Sequence, residues 1–179
     1  MAKDTITIGD LKVYSQVFGM ADTIDVPLLD EVVWDGVLVK ESMWSFGRED
    51  STKNALRDFI NRRKDDRIAL VVFADNAYIV SPLTLDHDYL LHYLDTVDEK
   101  ILGNERMTAV GDGILLANSL LSRQRDIENR GQVIMTFTDG EYNFGRDPLE
   151  VLSYTYLSGV KVHLVGVDLE QRLREKENV

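Results

Sequence analysis

The sequence contains no cysteine, so neither a disulfide framework nor thiolate chemistry is open to it, and compartment cannot be inferred from its thiols. With 3 prolines in 179 residues and 44% aliphatic and aromatic residues, it does not have the composition of a disordered or low-complexity chain. Long apolar runs are missing too. The longest, Ile68 to Ala74, is far too short to cross a bilayer, and the opening MAKDTITIGD lacks the apolar core of an export signal. The sequence therefore reads as a soluble domain without membrane contact of its own, a reading that also fits a piece excised from an anchored protein. Positive charge is in deficit. Twenty Lys and Arg against 31 Asp and Glu leave a formal charge of -11, which repels phosphate backbones and anionic lipid. Nucleic acid is thus excluded as an expected partner, and cations or basic protein surfaces are favoured.

What is present is one domain's worth of alternating strand and helix signals. Thr5 to Ile8 and Leu11 to Tyr14 alternate around Gly9-Asp10 as a hairpin would, and Met20 to Asp30, with Pro27, reads as a surface linker. Residues 1–30 form an N-terminal extension on this reading, and 31–179 the domain proper. Strands are expected over Val32 to Val39, Arg67 to Ala74, Ala77 to Ser81, Val133 to Thr138 and Val160 to Val167. Between them, helical periodicity falls on Asp50 or Ser51 to Arg62, Asp86 to Val97, a stretch from about Gly111, and Pro148 to Leu157 after an Asp147 cap. His87 and His92 lack a ligand-spaced partner and read as surface or satisfied interior residues. The close, Asp168 to Val179, reads as a thin helix or a ragged end. The alternation predicts a doubly wound α/β sheet of about five parallel strands, one antiparallel edge strand and helices on both faces.

The stretch around which the chain is organised is QVIMTFTDGEYNFG, residues 132–145. A buried strand there ends abruptly in Asp139, and ligands of parallel α/β sheets collect at the carboxyl ends of strands. On the residues alone, Asp139 is equally an Asp that begins a turn before Gly140. Thr108, before the helix near Gly111, reads as a cap or turn hydroxyl.

Taken in order, DRIALVVFADNAYIVSPLTLD, MTAVGDGILLA, VIMTFTDGEYNFGRDPLE and GVKVHLVGV closely resemble bacterial von Willebrand factor type A domains, nearest to those encoded beside MoxR-type AAA+ ATPases. The resemblance covers more than half the chain. It implies a metal-ion-dependent adhesion site built from a DxSxS motif after the first strand, a Thr from a middle loop and an Asp after a later strand. Magnesium usually fills that site, and a partner carboxylate completes the shell. Carried over, the Thr falls on Thr108 and the Asp on Asp139. The pattern DxSGSM falls on Leu38 to Met43, which puts Leu38 on the Asp, Lys40 on the first Ser and Ser42 on the second. A register two residues later puts Lys40 on the Asp, Ser42 on the first Ser and Trp44 on the second. Hard cations want oxygen ligands, so the resemblance implies a degenerate site with no magnesium or only weak magnesium at Ser42, Thr108 and Asp139. Lys40 either stands in for the metal beside Asp139 or points into water.

The function this implies is a non-enzymatic protein-interaction module. Trp44, Tyr142, Phe144 and Arg146 are its expected partner-binding residues, since aromatic and Arg anchors dominate interface energetics. The family analogy implies assembly or maturation of a complex with a MoxR-type ATPase, and a place on a membrane facing the periplasm as in related proteins. Two other readings stand beside it: a functional magnesium-dependent adhesion domain, and a magnesium-dependent phosphotransfer or hydrolase enzyme using Asp139. The enzyme would want a second strand-end carboxylate and a phosphate-cradling glycine loop, and no GxxxxGK[ST] or GxGxxG occurs.

Overall fold

A computed structural model describes residues 5–8, 11–14, 34–41, 48–97, 107–123, 130–138 and 142–166. Its elements are β1 (Thr5–Ile8), β2 (Leu11–Tyr14), β3 (Trp34–Glu41), α1 (Arg48–Arg62), β4 (Arg67–Phe73), β5 (Ala77–Thr84), α2 (His87–Thr96), α3 (Val110–Ser122), β6 (Gly131–Thr138), α4 (Pro148–Leu157) and β7 (Lys161–Gly166). The main sheet runs β5-β4-β3-β6-β7. Its four right-hand members are mutually parallel, and β5 closes the edge antiparallel to β4. Among the described residues the sheet therefore has one parallel strand fewer than the sequence led us to expect. β1 and β2 pair separately, with Ile8 opposite Leu11, in the expected hairpin register.

Strand alternation splits the interior into two layers. Ile68, Leu70 and Val72 on β4, with Val133, Met135 and Phe137 on β6, pack with Leu56, Ile60, Leu90 and Leu94 of α1 and α2. The intervening residues Ala69, Val71, Phe73 and Ile134 face Val110, Ile114, Ala117 and Leu121 of α3 and Val151 of α4. Burial on both faces explains why β4 and β6 read as continuous apolar runs instead of alternating ones.

The helix ends follow local chemistry. Asp86 caps α2 by accepting from the Tyr89 N–H, and Asp147 caps α4 by accepting from Leu149 with Pro148 in the first turn. α4 stops at Gly159, whose φ is +79°: Val160 N–H reaches the Thr155 carbonyl and Gly159 N–H that of Tyr156, a Schellman closure. β3 and β5 run further than expected. β3 extends through Lys40 to Glu41, two residues past Val39, because both neighbours continue to offer backbone partners: Val72 and Phe137 to Lys40, Phe73 to Glu41. β5 extends past Pro82 to Thr84, which an edge strand with register shifts against β4 tolerates. Asp35 and Gly36 are regular strand residues, paired with Arg67 and Ile68. The expected close at 168–179, the linker 20–30 and the loop 98–106 lie outside the described residues.

Candidate functional site

The parallel strands end together at Glu41 of β3, Phe73 of β4, Thr138 of β6 and Gly166 of β7. Onto this end folds the segment that precedes α3. Met107 N–H donates to Asp75 Oδ1 (2.5 Å), and Ala109 N–H donates to the Ala74 carbonyl (2.8 Å), both in the connection that follows β4. Thr108, half-buried between them, therefore stands at the carboxyl end of the sheet. It is not a helix cap: the N-cap of α3 is Ala109, and no side chain closes that turn.

The loop after β6 meets the same segment. Asn143 takes hold of both peptide groups of Thr108, its Oδ1 accepting from the Thr108 N–H (2.9 Å) and its own N–H donating to the Thr108 carbonyl (3.3 Å). Three residues after Asn143, Arg146 pairs through Nε with Asp112 in the first turn of α3 (3.4 Å) and donates its backbone N–H to the same carboxylate (3.4 Å). Two glycines permit this approach. A Cβ at Gly111 would lie 2.2 Å from the Arg146 carbonyl oxygen, and one at Gly145, itself at φ +79°, 2.2 Å from Asp112 Oδ2. Tyr142 and Phe144 flank Asn143 and are about half exposed, at 52% and 49%.

The structure thus brings Thr108, Tyr142, Phe144 and Arg146 to one end of the sheet. Asp139 follows Thr138, the last residue of β6, and lies outside the described residues, as do Ser42 and Trp44. Lys40 is in β3, level with Val72 and Phe137, and Leu38 is level with Leu70 and Met135, three residues before the strand ends. Arg146, expected to face a partner, is engaged with Asp112 while remaining exposed. Asn143, Asp112, Gly111 and Gly145 were not foreseen. The only local hints were an acidic residue in the first turn of a helix and a Gly where the chain needs positive φ.

His87 Nε2 bonds to the Asp66 carbonyl (2.9 Å), and exposed His92 sits edge-on to Tyr93. His163 on β7 has its pKa lowered, chiefly by burial and secondarily by Lys161. Among the described residues no three His, Cys, Asp or Glu side chains gather as a metal site would require, and no helix is long and apolar enough to cross a membrane.

Residues 38–141, more than half the chain, match the von Willebrand factor type A domain. The chain belongs to that family. An uncharacterized protein of Borreliella burgdorferi is 33% identical over 126 residues, 69% of this chain and 35% of that protein, so the chain spans about a third of its relative's length. Among solved structures, an aerotolerance-related membrane protein from Bacteroides fragilis superposes with a TM-score of 0.64 at 25% identity, covering 74% of this chain and 67% of that one. Proximal thread matrix protein 1 from the mussel byssus, with a zinc-occupied MIDAS motif, superposes with a TM-score of 0.64 at 14% identity over 74% of this chain and 37% of that one, a likeness of fold.

Proposed function

We propose that this chain is a non-enzymatic protein-interaction module that meets its partner with the loop face around Thr108, Asp139 and Tyr142 to Arg146. The observation that carries the reading is the clasp of Asn143 on Thr108, which joins two loops at the carboxyl end of the sheet and leaves Tyr142 and Phe144 exposed beside them. Half-exposed aromatics on a held backbone lose little entropy on binding, which is what makes such residues effective anchors. The finer reading is a role in assembling or maturing a complex with a MoxR-type ATPase, on a membrane and facing the periplasm. Its support is the family resemblance, together with the membrane protein among the structural relatives.

The metal question turns on the strand register. Family ligands sit where strands end, yet Leu38 is level with buried Leu70 and Met135 in the body of the sheet. The residue of β3 at the end of the sheet is Glu41. Aligned from there, the family Asp falls on Glu41, the first Ser on Met43 and the second on Ser45, in place of Leu38, Lys40 and Ser42. Lys40 is level with Val72 and Phe137, one residue short of the strand end, whereas Glu41 is level with Phe73, the last residue of β4. This placement favours Glu41 over Lys40 as the charged residue of the site. The donors that fit a hard cation are then Glu41, Ser45, Thr108 and Asp139, with one hydroxyl replaced by a thioether, so magnesium affinity is weak.

The test is binding to a MoxR-type AAA+ ATPase from the same genome, by calorimetry, with wild type and Asp139→Ala. Binding should weaken about tenfold in the variant while stability changes by no more than about 0.5 kcal/mol, as this reading expects of a residue that serves binding and not the core. Equal binding by both proteins places the interface elsewhere, and the β1-β2 hairpin is the next candidate.

A further inference from the structure

We infer that Asn143 is a positioning residue of the loop face: it sets the place of Thr108, so that Thr108 and the aromatic pair Tyr142 and Phe144 meet a partner as one surface. The inference rests on the interaction reading above for its functional meaning, and on geometry for its substance.

Three consecutive residues of the segment before α3 are tied down, and the ties are of two kinds. Met107 and Ala109 are held from below, by Asp75 and Ala74 at the end of β4. Thr108 is held from the side, by Asn143 of the loop after β6, through both its N–H and its carbonyl. An asparagine suits this task because its side-chain carbonyl imitates a peptide acceptor while its own backbone N–H stays free to donate. The bonds of Met107 and Ala109 run to Asp75 and Ala74, whereas the Asn143 bonds run to the loop that displays the aromatics. Asp112 and Arg146 anchor that loop farther along, and the absence of a Cβ at Gly111 and Gly145 brings it close enough for the clasp. Pressure on Tyr142 or Phe144 consequently moves Asn143, their common neighbour, and with it Thr108.

Among the described residues only an acceptor is asked of the Asn143 side chain, since Oδ1 accepts the hydrogen bond of the Thr108 N–H. Asn143→Asp keeps that acceptor, Asn143→Ala removes it, and Asn143→Gln displaces it by one methylene. Backbone amide hydrogen exchange on the whole chain, followed by NMR, reads the clasp directly. In the Ala and Gln variants the Thr108 amide should exchange about tenfold faster than in wild type, the loss of one net hydrogen bond, while Leu70 and Val71 in β4 keep their protection. In the Asp variant Thr108 should stay protected. Unchanged Thr108 exchange in the Ala and Gln variants would overturn the inference, and so would equal loss in the Asp variant. The binding measurement with Asp139→Ala is independent of this result, so a failed interaction reading and a failed positioning role show up in different experiments.

Discussion

Gly111 of α3 and Arg146 of the loop after β6 touch so closely that a single added carbon on Gly111 would stand 2.2 Å from the Arg146 carbonyl oxygen and 3.0 Å from its carbonyl carbon. The obstacle is backbone, which cannot swing aside as a side-chain tip can. Gly111→Ala should therefore push the loop off α3 and cost about 1 to 3 kcal/mol, the usual range for overpacking. Thermal or urea unfolding measures this. A variant as stable as wild type would show that the loop after β6 is not held against α3.

Gly159 offers the opposite case. Its φ is also +79°, but beyond its two chain neighbours nothing lies within 4 Å of the place a Cβ would take. Gly159→Ala should thus cost about 1 kcal/mol from left-handed strain alone, and Gly159→Asn less, because Asn tolerates that conformation better. Urea titration of the two variants should rank them in that order. The reverse order would mean that the closure of α4 is not limited by the Gly159 backbone.

Why some of this was legible in the sequence and some was not follows from the range of the interactions. Asp147, Pro148 and Gly159 announce both ends of α4 because capping is decided within a few residues. The runs at β4 and β6 announce buried central strands because burial on both faces demands apolar residues at every position. The length of β3 was not legible. Lys40 and Glu41 are polar, and only the neighbouring strands, distant in sequence, show that the ladder continues through them. The Asn143 clasp escaped for a similar reason: it spans 35 positions and leaves no periodic mark.

His163 carries a pH prediction. Burial, with Lys161 nearby as a second cause, holds its folded pKa below the ordinary value of about 6.5. Above that value the residue is neutral in both folded and unfolded chains and contributes no pH dependence. As pH falls below about 6.5 the unfolded chain takes up the proton first, so stability declines until the lower folded pKa is passed. His163→Leu should remove this part of the decline. Urea unfolding of both proteins at pH 7.5 and pH 5.5 isolates it, since the carboxylates are common to the two. Equal losses on acidification would show that His163 does not bind its proton less readily when folded.

The last prediction separates the two alignments of the first motif. If the family Asp fell on Leu38, then Leu38→Asp with Lys40→Ser would return two oxygen ligands and raise divalent-ion affinity. The strand register argues otherwise. Leu38 is level with Leu70 and Met135, which are 1% and 7% exposed on the strands to either side. A carboxylate placed in that row faces the penalty of an unpaired charge in an apolar interior, so the double variant should be destabilised by several kcal/mol and bind no better than wild type. Glu41, by contrast, is where β3 ends, and the hydroxyl missing from the pattern counted from Glu41 is at Met43. Met43→Ser should raise affinity for magnesium and manganese about tenfold over weak wild-type binding, because a hard cation gains an oxygen donor in place of a thioether. Glu41→Ala should abolish binding in either background. Calorimetry with both ions on these five proteins decides the matter. A gain in the Leu38 and Lys40 variant with none at Met43 would return the motif to Leu38, and tight binding by wild type would mean that Met43 does not occupy a ligand position at all.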